Sequence, residues 1–363
     1  AGLSKLELYY LEKAEVIANG KLLIDSKEIT NALYIYLIAL LGKISGFNVI
    51  TFRYLQAFIG VITVFVFYLY VREWYNRKIS IFATLFLAVN AVHTAVSRAI
   101  EPVILGPLFL ILLLLFSTYA LRTGKKSWFI SSGVICALGL YVDKIFIFLP
   151  LIFGLSLTYL YYRNKEFFLA YKKQYFYGGL LYLLFAIPFF YYLPQNIAEY
   201  RNNFIPSGVG TFLLNLGDNI RAIILHAPPN INFYIGNEPL VSPFLAISFL
   251  AGLVFAIFHL ERKQYYFMIL LFTFFITIIS LGKPLNNEIY LILLIPVIIF
   301  AASILDYIVT AWIKTFPKNK KAKVLIALVL SVFIALNVLY DYRKYFYAWG
   351  KNSKVKTEYS QQF

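Results

Sequence analysis

Two charged residues, Arg98 and Glu101, stand three positions apart in a short stretch between two long apolar runs. At that spacing on a helix their side chains share one face, so they can form an ion pair. A guanidinium also binds two oxygens of a phosphate group at once, which predicts a site for the phosphate head of an anionic lipid. In that interpretation Glu101 binds a divalent cation or orients an acceptor. The structural alternative is an ion pair that only closes a helix end.

Other polar side chains stand at the same edge of the apolar runs, where polar residues of membrane proteins mark functional sites. The further candidates are Glu7, His93, Lys144, Glu238, Lys283 and Glu288. A lone histidine such as His93 is more often a packing residue than a base. The sequence contains no His/Cys ligand cluster, no phosphate-binding P-loop and no glycine-rich dinucleotide motif. Its single cysteine, Cys136, excludes an internal disulfide.

The elements that must position these residues are long apolar segments. Hydrophobic residues make up 61% of the 363-residue chain and charged residues 14%, whereas a soluble domain is about half apolar and about a quarter charged. The runs that predict membrane-spanning segments are 50–71, 79–96, 103–121, 128–142, 145–162, 175–193, 241–260, 265–281, 289–312 and 324–340. Continuous runs of this length predict helices rather than the alternating strands of a β-barrel. The predicted fold class is therefore an all-α polytopic membrane protein with about ten transmembrane helices.

Lysine and arginine are concentrated in the loops that follow the first, third, fifth, seventh and ninth runs. Because cytoplasmic loops carry the excess of these residues, the pattern predicts an integral protein of the cytoplasmic membrane with both ends of the chain on the outer face. These loops and their contact with anionic lipid heads explain the formal net charge of +16, and no nucleic-acid partner is expected. An outward-facing start without a preceding span predicts that an upstream helix or a signal anchor is missing.

Outer segments flank and interrupt the predicted transmembrane domain. The predicted organisation is an outer segment at 1–49, a transmembrane domain at 50–340 with a large outer loop at 194–240, and an outer tail at 341–363. Apolar residues at three- and four-residue steps predict an amphipathic helix at 3–19 that stops at Gly20. A tyrosine-rich run at 31–41 is too short to span and predicts an interfacial helix. A further amphipathic helix is predicted at 211–225.

Several stretches occur in an order that carries a family resemblance. They are LELYY at 6–10, the interfacial run at 33–41 with FRYL at 52–55, SRAIEP at 97–102, NFYIGNEPLVSPFLAISFLAG at 232–252 and the aromatic tail at 342–363. Together they resemble the membrane region of the C-type (GT-C fold) glycosyltransferases, in the branch of the protein O-mannosyltransferases and aminoarabinose transferases. The resemblance implies a GT-C-like helix arrangement with interfacial helices in the first outer loop.

The resemblance also implies transfer of a sugar from a polyprenyl-phosphate carrier to a glycan, lipid or protein acceptor on the outer face of the membrane. Glu7 would act as the base on the acceptor hydroxyl, in an inverting displacement at the anomeric carbon. Arg98 would hold the carrier phosphate, with Lys144 or Lys283 adding positive charge. A divalent cation, Mg²⁺ or Mn²⁺, would have Glu7 and Glu101 as its candidate ligands.

Departures from the family pattern support two alternatives. The position of the family's catalytic Asp holds Leu6, which can neither accept a proton nor coordinate a cation, and an expected Arg in a late span is Tyr290. These losses favour a catalytically inactive member that serves as a structural or accessory subunit of a membrane complex. A transporter is the second alternative, against which the sequence shows neither an internal repeat nor a mid-span pair of acids.

Overall fold

The computed structural model describes residues 2–21, 26–163, 165–205, 208–226, 238–282 and 288–360. Nearly all of these residues are helical, which confirms the predicted all-α fold class. The α-helices are α1 (Lys5–Ala18), α2 (Ala32–Ser45), α3 (Val49–Trp74), α4 (Arg77–Val89), α5 (Ala91–Val96), α6 (Leu105–Thr123), α7 (Lys126–Gly139), α8 (Leu149–Arg163), α9 (Lys165–Ala170), α10 (Lys172–Phe204), α11 (Val209–Ile224), α12 (Pro243–Ile257), α13 (Lys263–Leu281), α14 (Glu288–Thr315), α15 (Lys320–Tyr342) and α16 (Ser353–Glu358). Short 3₁₀ segments at Ser26–Asn31, Pro102–Ile104 and Lys144–Phe148, and a π-helical segment at Arg343–Trp349, connect or extend them.

Each predicted apolar run is helical, but the helices differ in length. Among the described residues, six segments have both the length and the hydropathy that a membrane span requires: Val49–Trp74, Pro102–Thr123, Lys172–Ile197, Lys263–Leu281, Leu291–Thr315 and Lys320–Trp349. The other runs form the shorter helices α4 with α5, α7, α8 and α12. The run at 79–96 breaks at Asn90, whose side chain accepts hydrogen bonds from the amides of Val92 and His93 and so starts α5 as a new helix.

Helix α14 lies at the centre of the bundle. Residues 291–302 are all buried, so this part of the helix is enclosed by other helices on every face. Helix α12 crosses α14 at Gly252, where a side-chain carbon would lie 2.0 Å from the carbonyl oxygen of Phe300. The two helices therefore touch through their backbones, and only glycine allows this approach.

We expect Gly252→Ala to destabilise the folded protein by about 1–3 kcal/mol, because the added methyl group must push α12 away from α14. Thermal unfolding of the detergent-purified protein measures the loss. Gly217→Ala in α11 is the matched control, since a side-chain carbon there meets no atom within 4 Å. Equal melting temperatures for Gly252→Ala and the wild type would contradict the close contact of the two helices.

The helices predicted outside the spans are present. α1 starts at Ser4, whose hydroxyl accepts a hydrogen bond from the Glu7 amide while the Glu7 carboxylate accepts one from the Ser4 amide, which together form a capping box. The chain turns after α1 at Gly20, whose φ of +89° is a conformation that favours glycine. α2 matches the predicted interfacial helix and extends to Ser45, and α11 matches the predicted amphipathic helix.

Two helices run further than the apolar runs that predicted them. α10 continues through Pro194 to Phe204, into the predicted outer loop. α15 continues to Tyr342, and the π-helical segment follows it directly into the predicted tail. The reason is that hydropathy indicates where a helix leaves the hydrocarbon core of the membrane. The helix itself ends only where its backbone hydrogen bonds stop.

The loops predicted to be cytoplasmic meet at one end of the bundle. Arg122 and Glu73 form an ion pair there at 2.6 Å, and the Asn76 amide donates to Asp306 at 2.8 Å. Helix α3 has 26 residues and so connects this end to the opposite end, where Arg53 lies, over about 39 Å. Following the charge pattern of the loops, we call the end with Glu73 the inner end and the end with Arg53 the outer end.

Candidate functional site

Glu7 is fully buried in the first turn of α1, at the outer end. Its Oε2 atom accepts a hydrogen bond from the Ser4 amide at 2.9 Å. Its Oε1 atom accepts one from the Ile100 amide at 2.8 Å, which joins α1 to the turn between α5 and α6. The capping box therefore directs a carboxylate against the segment that carries Arg98 and Glu101.

Arg53 in α3 is the cation that faces Glu7. Its Nη2 atom lies 3.3 Å from Oε2 of Glu7 and donates to the carbonyl of Gly2 at 2.9 Å. Burial raises the pKa of Glu7, and the Arg53 guanidinium and the amides of Ile100 and Ser4 partly offset that rise. The buried carboxyl therefore takes up a proton more readily than an exposed glutamate does.

Because the pKa of Glu7 is raised in the folded protein, the stability that it contributes is complete below the unfolded pKa of about 4.5 and is lost as the pH rises through the folded pKa. The melting temperature of the wild type minus that of Glu7→Gln should therefore fall as the pH is raised above 4.5. Glu15→Gln is the matched control, because Glu15 is exposed on the same helix and its replacement removes an equal charge. A wild-type advantage over Glu7→Gln that grows with pH would contradict the raised pKa.

Glu101 is buried one residue after the amide that binds Glu7. The side-chain amide of Gln56 in α3 donates to the backbone carbonyl of Glu101 at 3.3 Å and also to the hydroxyl of Tyr34 in α2. Tyr34 is itself buried and packs edge-on against Tyr10 of α1, with 5.8 Å between ring centres. Helices α1, α2 and α3 therefore all support the turn at 97–101.

Tyr359, close to the end of the chain, lies near Glu7 and Glu101. Burial raises the pKa of its hydroxyl, and the nearby carboxylates of Glu101 and Glu7 raise it further. Its backbone carbonyl packs against Gly2, where a side-chain carbon would lie 1.8 Å from the oxygen. We define the outer cluster as Glu7, Tyr34, Arg53, Gln56, Glu101 and Tyr359.

Arg98 faces the C-terminal part of the chain rather than Glu101. Its Nη1 atom donates to the hydroxyl of Tyr345 at 3.3 Å, and its guanidinium lies 5.2 Å from the ring centre of Tyr345 and 6.0 Å from that of Phe346. Arg98 and Glu101, both within the described residues, do not form the ion pair that their i, i+3 spacing allowed. Helix α5 ends at Val96 and Glu101 has an extended backbone, so the two side chains do not share a helical face.

The tail segment, residues 343–360, connects Arg98 to the outer cluster through a row of aromatic rings. Tyr345 stacks on Trp349 with 5.3 Å between ring centres, and Trp349 contacts Tyr359 edge-on at 5.6 Å. The tail is held in place by Lys344, whose buried ammonium donates to the carbonyl of Pro239. Part of the predicted outer tail therefore covers the cluster.

Two further candidates lie in segments next to Arg98. His93 is buried in α5, and its ring atom Nδ1 has no hydrogen-bond partner among the described residues. Glu238 accepts a hydrogen bond from the hydroxyl of Tyr340, near the start of the tail segment. Both residues support the segments around Arg98, and neither belongs to the outer cluster as defined.

The remaining candidates are Lys144, Lys283 and Glu288. Lys144 is half-buried at the start of a 3₁₀ segment, directly after the buried Asp143, whose carboxylate accepts from the Ile145 amide at 2.8 Å. Lys283 lies outside the described residues, as does the side chain of Glu288.

Four residues of the outer cluster were not predicted as site residues from the sequence: Tyr34, Arg53, Gln56 and Tyr359. Arg53 and Gln56 carry a signal in retrospect, because they are polar residues three positions apart in an apolar run and share a helical face. Tyr34 and Tyr359 carry none, since the chain contains 30 tyrosines and most of them have no relation to this site.

The described residues do not offer a good site for the divalent cation that the resemblance implied. No three His, Cys, Asp or Glu side chains in the described ranges come together as a ligand set. Both oxygens of Glu7 already accept hydrogen bonds, and the Arg53 guanidinium supplies positive charge at 3.3 Å. A cation bound at Glu7 would be repelled by that guanidinium, so we derive no step through a metal.

Comparison with known proteins gives a family match over part of the chain. Residues 32–192 match the family model described as dolichyl-phosphate-mannose-protein mannosyltransferase. No curated protein sequence matches the chain significantly. The matched segment contains α2 through most of α10, and with them Tyr34, Arg53, Gln56 and the turn at 97–101.

The fold is shared with solved membrane glycosyltransferases. ArnT from Cupriavidus metallidurans bound to undecaprenyl phosphate superposes with a TM-score of 0.60 at 13% identity, covering 95% of this chain and 70% of that chain. An Archaeoglobus fulgidus oligosaccharyltransferase tethered with an acceptor peptide superposes with a TM-score of 0.58 at 14% identity, covering 100% of this chain and 55% of that one. The chain thus spans about half the length of the archaeal protein. These matches confirm the predicted resemblance to the C-type glycosyltransferases and the GT-C fold.

Proposed function

We propose that this membrane protein of GT-C fold transfers a sugar from a polyprenyl-phosphate carrier to an acceptor at the outer face of the membrane. The observation that carries the proposal is the convergence of Glu7 from α1, Arg53 from α3 and Glu101 from the turn between α5 and α6 on one buried polar cluster, with Arg98 in that same turn. Burial of charged groups costs free energy, and buried clusters of ionisable groups are typical of functional sites. The ArnT structure that shares the fold contains undecaprenyl phosphate, a carrier of the proposed class.

The proposed reaction is a displacement at the anomeric carbon of the sugar. The acceptor hydroxyl loses its proton to Glu7 and its oxygen forms the new bond to carbon, while the carrier phosphate leaves with the electron pair of the broken bond. The raised pKa of Glu7 suits a group that must gain a proton in the reaction. Arg53 keeps the carboxylate oriented, and Arg98 stabilises the negative charge of the leaving phosphate.

Access to Arg98 requires a change in its present contacts. Its guanidinium is held by the hydroxyl and ring of Tyr345. A phosphate binds a guanidinium more strongly than a neutral phenol does, because the hydrogen bonds are charge-assisted. The carrier phosphate is therefore expected to replace the Tyr345 hydroxyl when the donor binds.

The orientation of the site follows from the charge pattern. Lys and Arg are concentrated in the loops of the inner end, so that end is proposed to be cytoplasmic and the outer cluster to face outward. Acceptors of the proposed reaction are glycans, lipids or proteins on that side, and other membrane subunits are candidate partners.

A second candidate function is that of an inactive accessory subunit with the same fold. The observation that favours it is the full engagement of the Glu7 carboxylate by Ser4, Ile100 and Arg53, which is also how a purely structural cap would be built. Leu6, where the family places its catalytic Asp, adds to this candidate.

Incubation of the purified protein in lipid nanodiscs with polyprenyl-phosphate mannose or polyprenyl-phosphate aminoarabinose tests the first function against the second. We expect release of polyprenyl phosphate that depends on the protein and on an added acceptor, measured by mass spectrometry of the extracted lipids. If neither donor is consumed while other membrane proteins co-purify in fixed ratio, the enzymatic proposal fails and the accessory function is supported.

A further inference from the structure

A large apolar cavity lies between the helices, toward the inner end of the bundle. Its volume is about 620 Å³, and it is lined by residues of α3, α6, α7, α8, α10 and α13, a size that is typical of ligand sites. Glycines shape the cavity in two ways. Gly133 allows α7 to approach α10, since a side-chain carbon there would lie 2.1 Å from the carbonyl oxygen of Gly178. Gly154 and Gly179 line the space itself, and a side-chain carbon at either meets no atom within 4 Å.

The charge at this cavity is positive. Among its described lining residues Lys263, the first residue of α13, carries the one formal charge. Trp74, the last residue of α3, also lines the cavity. The cavity therefore lies near the inner end. At that same end Lys126 lies 3.6 Å from the ring centre of Tyr177. An apolar space bordered by Lys263 at one end, with Lys126 at the same end of the bundle, is complementary to a lipid with an anionic head.

We infer that the cavity binds an anionic phospholipid of the inner leaflet, with one acyl chain in the apolar space and the phosphate at Lys263. The occupant differs from the sugar carrier of the proposed reaction. The carrier phosphate must reach Arg98 at the outer end, whereas Lys263 belongs to the inner end, and α3 alone separates the two ends by about 39 Å. Anionic lipids are concentrated in the cytoplasmic leaflet, which the inner end is proposed to face. The inference stands whether or not the protein transfers sugars.

Native mass spectrometry of the detergent-purified protein tests the site, with phosphatidylglycerol and phosphatidylcholine as competing probes. We expect the wild type to retain phosphatidylglycerol several-fold better than phosphatidylcholine. Gly179→Phe, which fills the cavity, should reduce retention of both lipids, and Lys263→Gln should remove only the preference for phosphatidylglycerol. The matched controls are Gly217→Phe in α11, where a side-chain carbon is also unobstructed, and Lys320→Gln at the start of α15.

Equal retention of the two lipids by the wild type, or a preference that survives Lys263→Gln, would overturn the inference. So would displacement of the bound phosphatidylglycerol from the wild type by stoichiometric polyprenyl phosphate, because the cavity would then belong to the sugar carrier. If Gly179→Phe lowers the melting temperature, the Lys263→Gln arm decides, since that residue is exposed. Sugar transfer is measured separately, so a failure of this inference leaves the proposed function untouched.

Discussion

Glu7→Gln is expected to lower the rate of sugar transfer by about 10²- to 10⁴-fold, the usual contribution of a general base. A glutamine cannot accept the proton of the acceptor hydroxyl. Its amide oxygen can still accept the hydrogen bond from Ile100, which Oε1 of Glu7 now accepts at 2.8 Å. Its amide nitrogen, in the place of Oε2, can neither accept from the Ser4 amide nor pair with Arg53, so some loss of melting temperature is expected as well. The catalytic loss should appear in kcat at temperatures where the variant is folded. The measurement is the rate of polyprenyl phosphate release by purified protein at saturating donor and acceptor, with a thermal unfolding curve for each variant.

Glu15→Gln is the matched control for this substitution. Glu15 lies on the same helix α1 and is exposed, so its replacement removes an equal charge without touching the outer cluster. We expect it to retain wild-type activity. An active wild type whose rate is unchanged in Glu7→Gln would show that Glu7 is only a cap for α1 and that another group takes the proton.

Arg98→Ala is expected to lower kcat/KM for the polyprenyl-phosphate sugar by about 10²- to 10³-fold, as the loss of a group that stabilises developing negative charge does. Arg98→Lys keeps the charge but loses the two-pronged geometry, so it should recover only part of that activity. Tyr345→Ala should have the opposite effect on binding of the donor. It removes the hydroxyl that now binds Arg98 at 3.3 Å, so the KM for the donor should fall.

Arg221→Ala is the matched control for Arg98→Ala. Arg221 is exposed in α11 and pairs with Asp218 of its own helix at 3.6 Å, so its loss should leave donor kinetics unchanged. An equal loss of kcat/KM in Arg221→Ala and Arg98→Ala would indicate a general charge effect. Unchanged donor kinetics in Arg98→Ala would remove Arg98 from the proposed phosphate site.

Local signals in the sequence were sufficient for most of the helices. The capping box at Ser4 and Glu7, the stop at Gly20 and the apolar runs all act over a few residues, so they can be read without knowledge of the fold. They failed where a polar side chain interrupts an apolar run. Asn90 is such a case, because its hydrogen bonds to the next turn start a new helix that hydropathy does not reveal.

The site could be predicted only in part, because its contacts cross the chain. Glu7 and Glu101 were recognised as acids at the outer edge, but the partner of Glu7 is Arg53, 46 positions away. The partner of Arg98 is Tyr345, 247 positions away, where the i, i+3 spacing had suggested Glu101. No local pattern encodes such pairs, since they depend on how the helices pack.

The sequence alone therefore determined that the chain forms a helical membrane protein, where most of its helices lie and which family it resembles. Those properties follow from hydropathy and from the charges at the ends of each run, which act locally. Only the tertiary structure decided that Glu7 faces Arg53 and that the tail segment covers Arg98. The physical reason is that a buried charge must find its partner in three dimensions. The packing of α1 on α2 and of α2 on α3, with the tail brought back beside α5, brings those partners together.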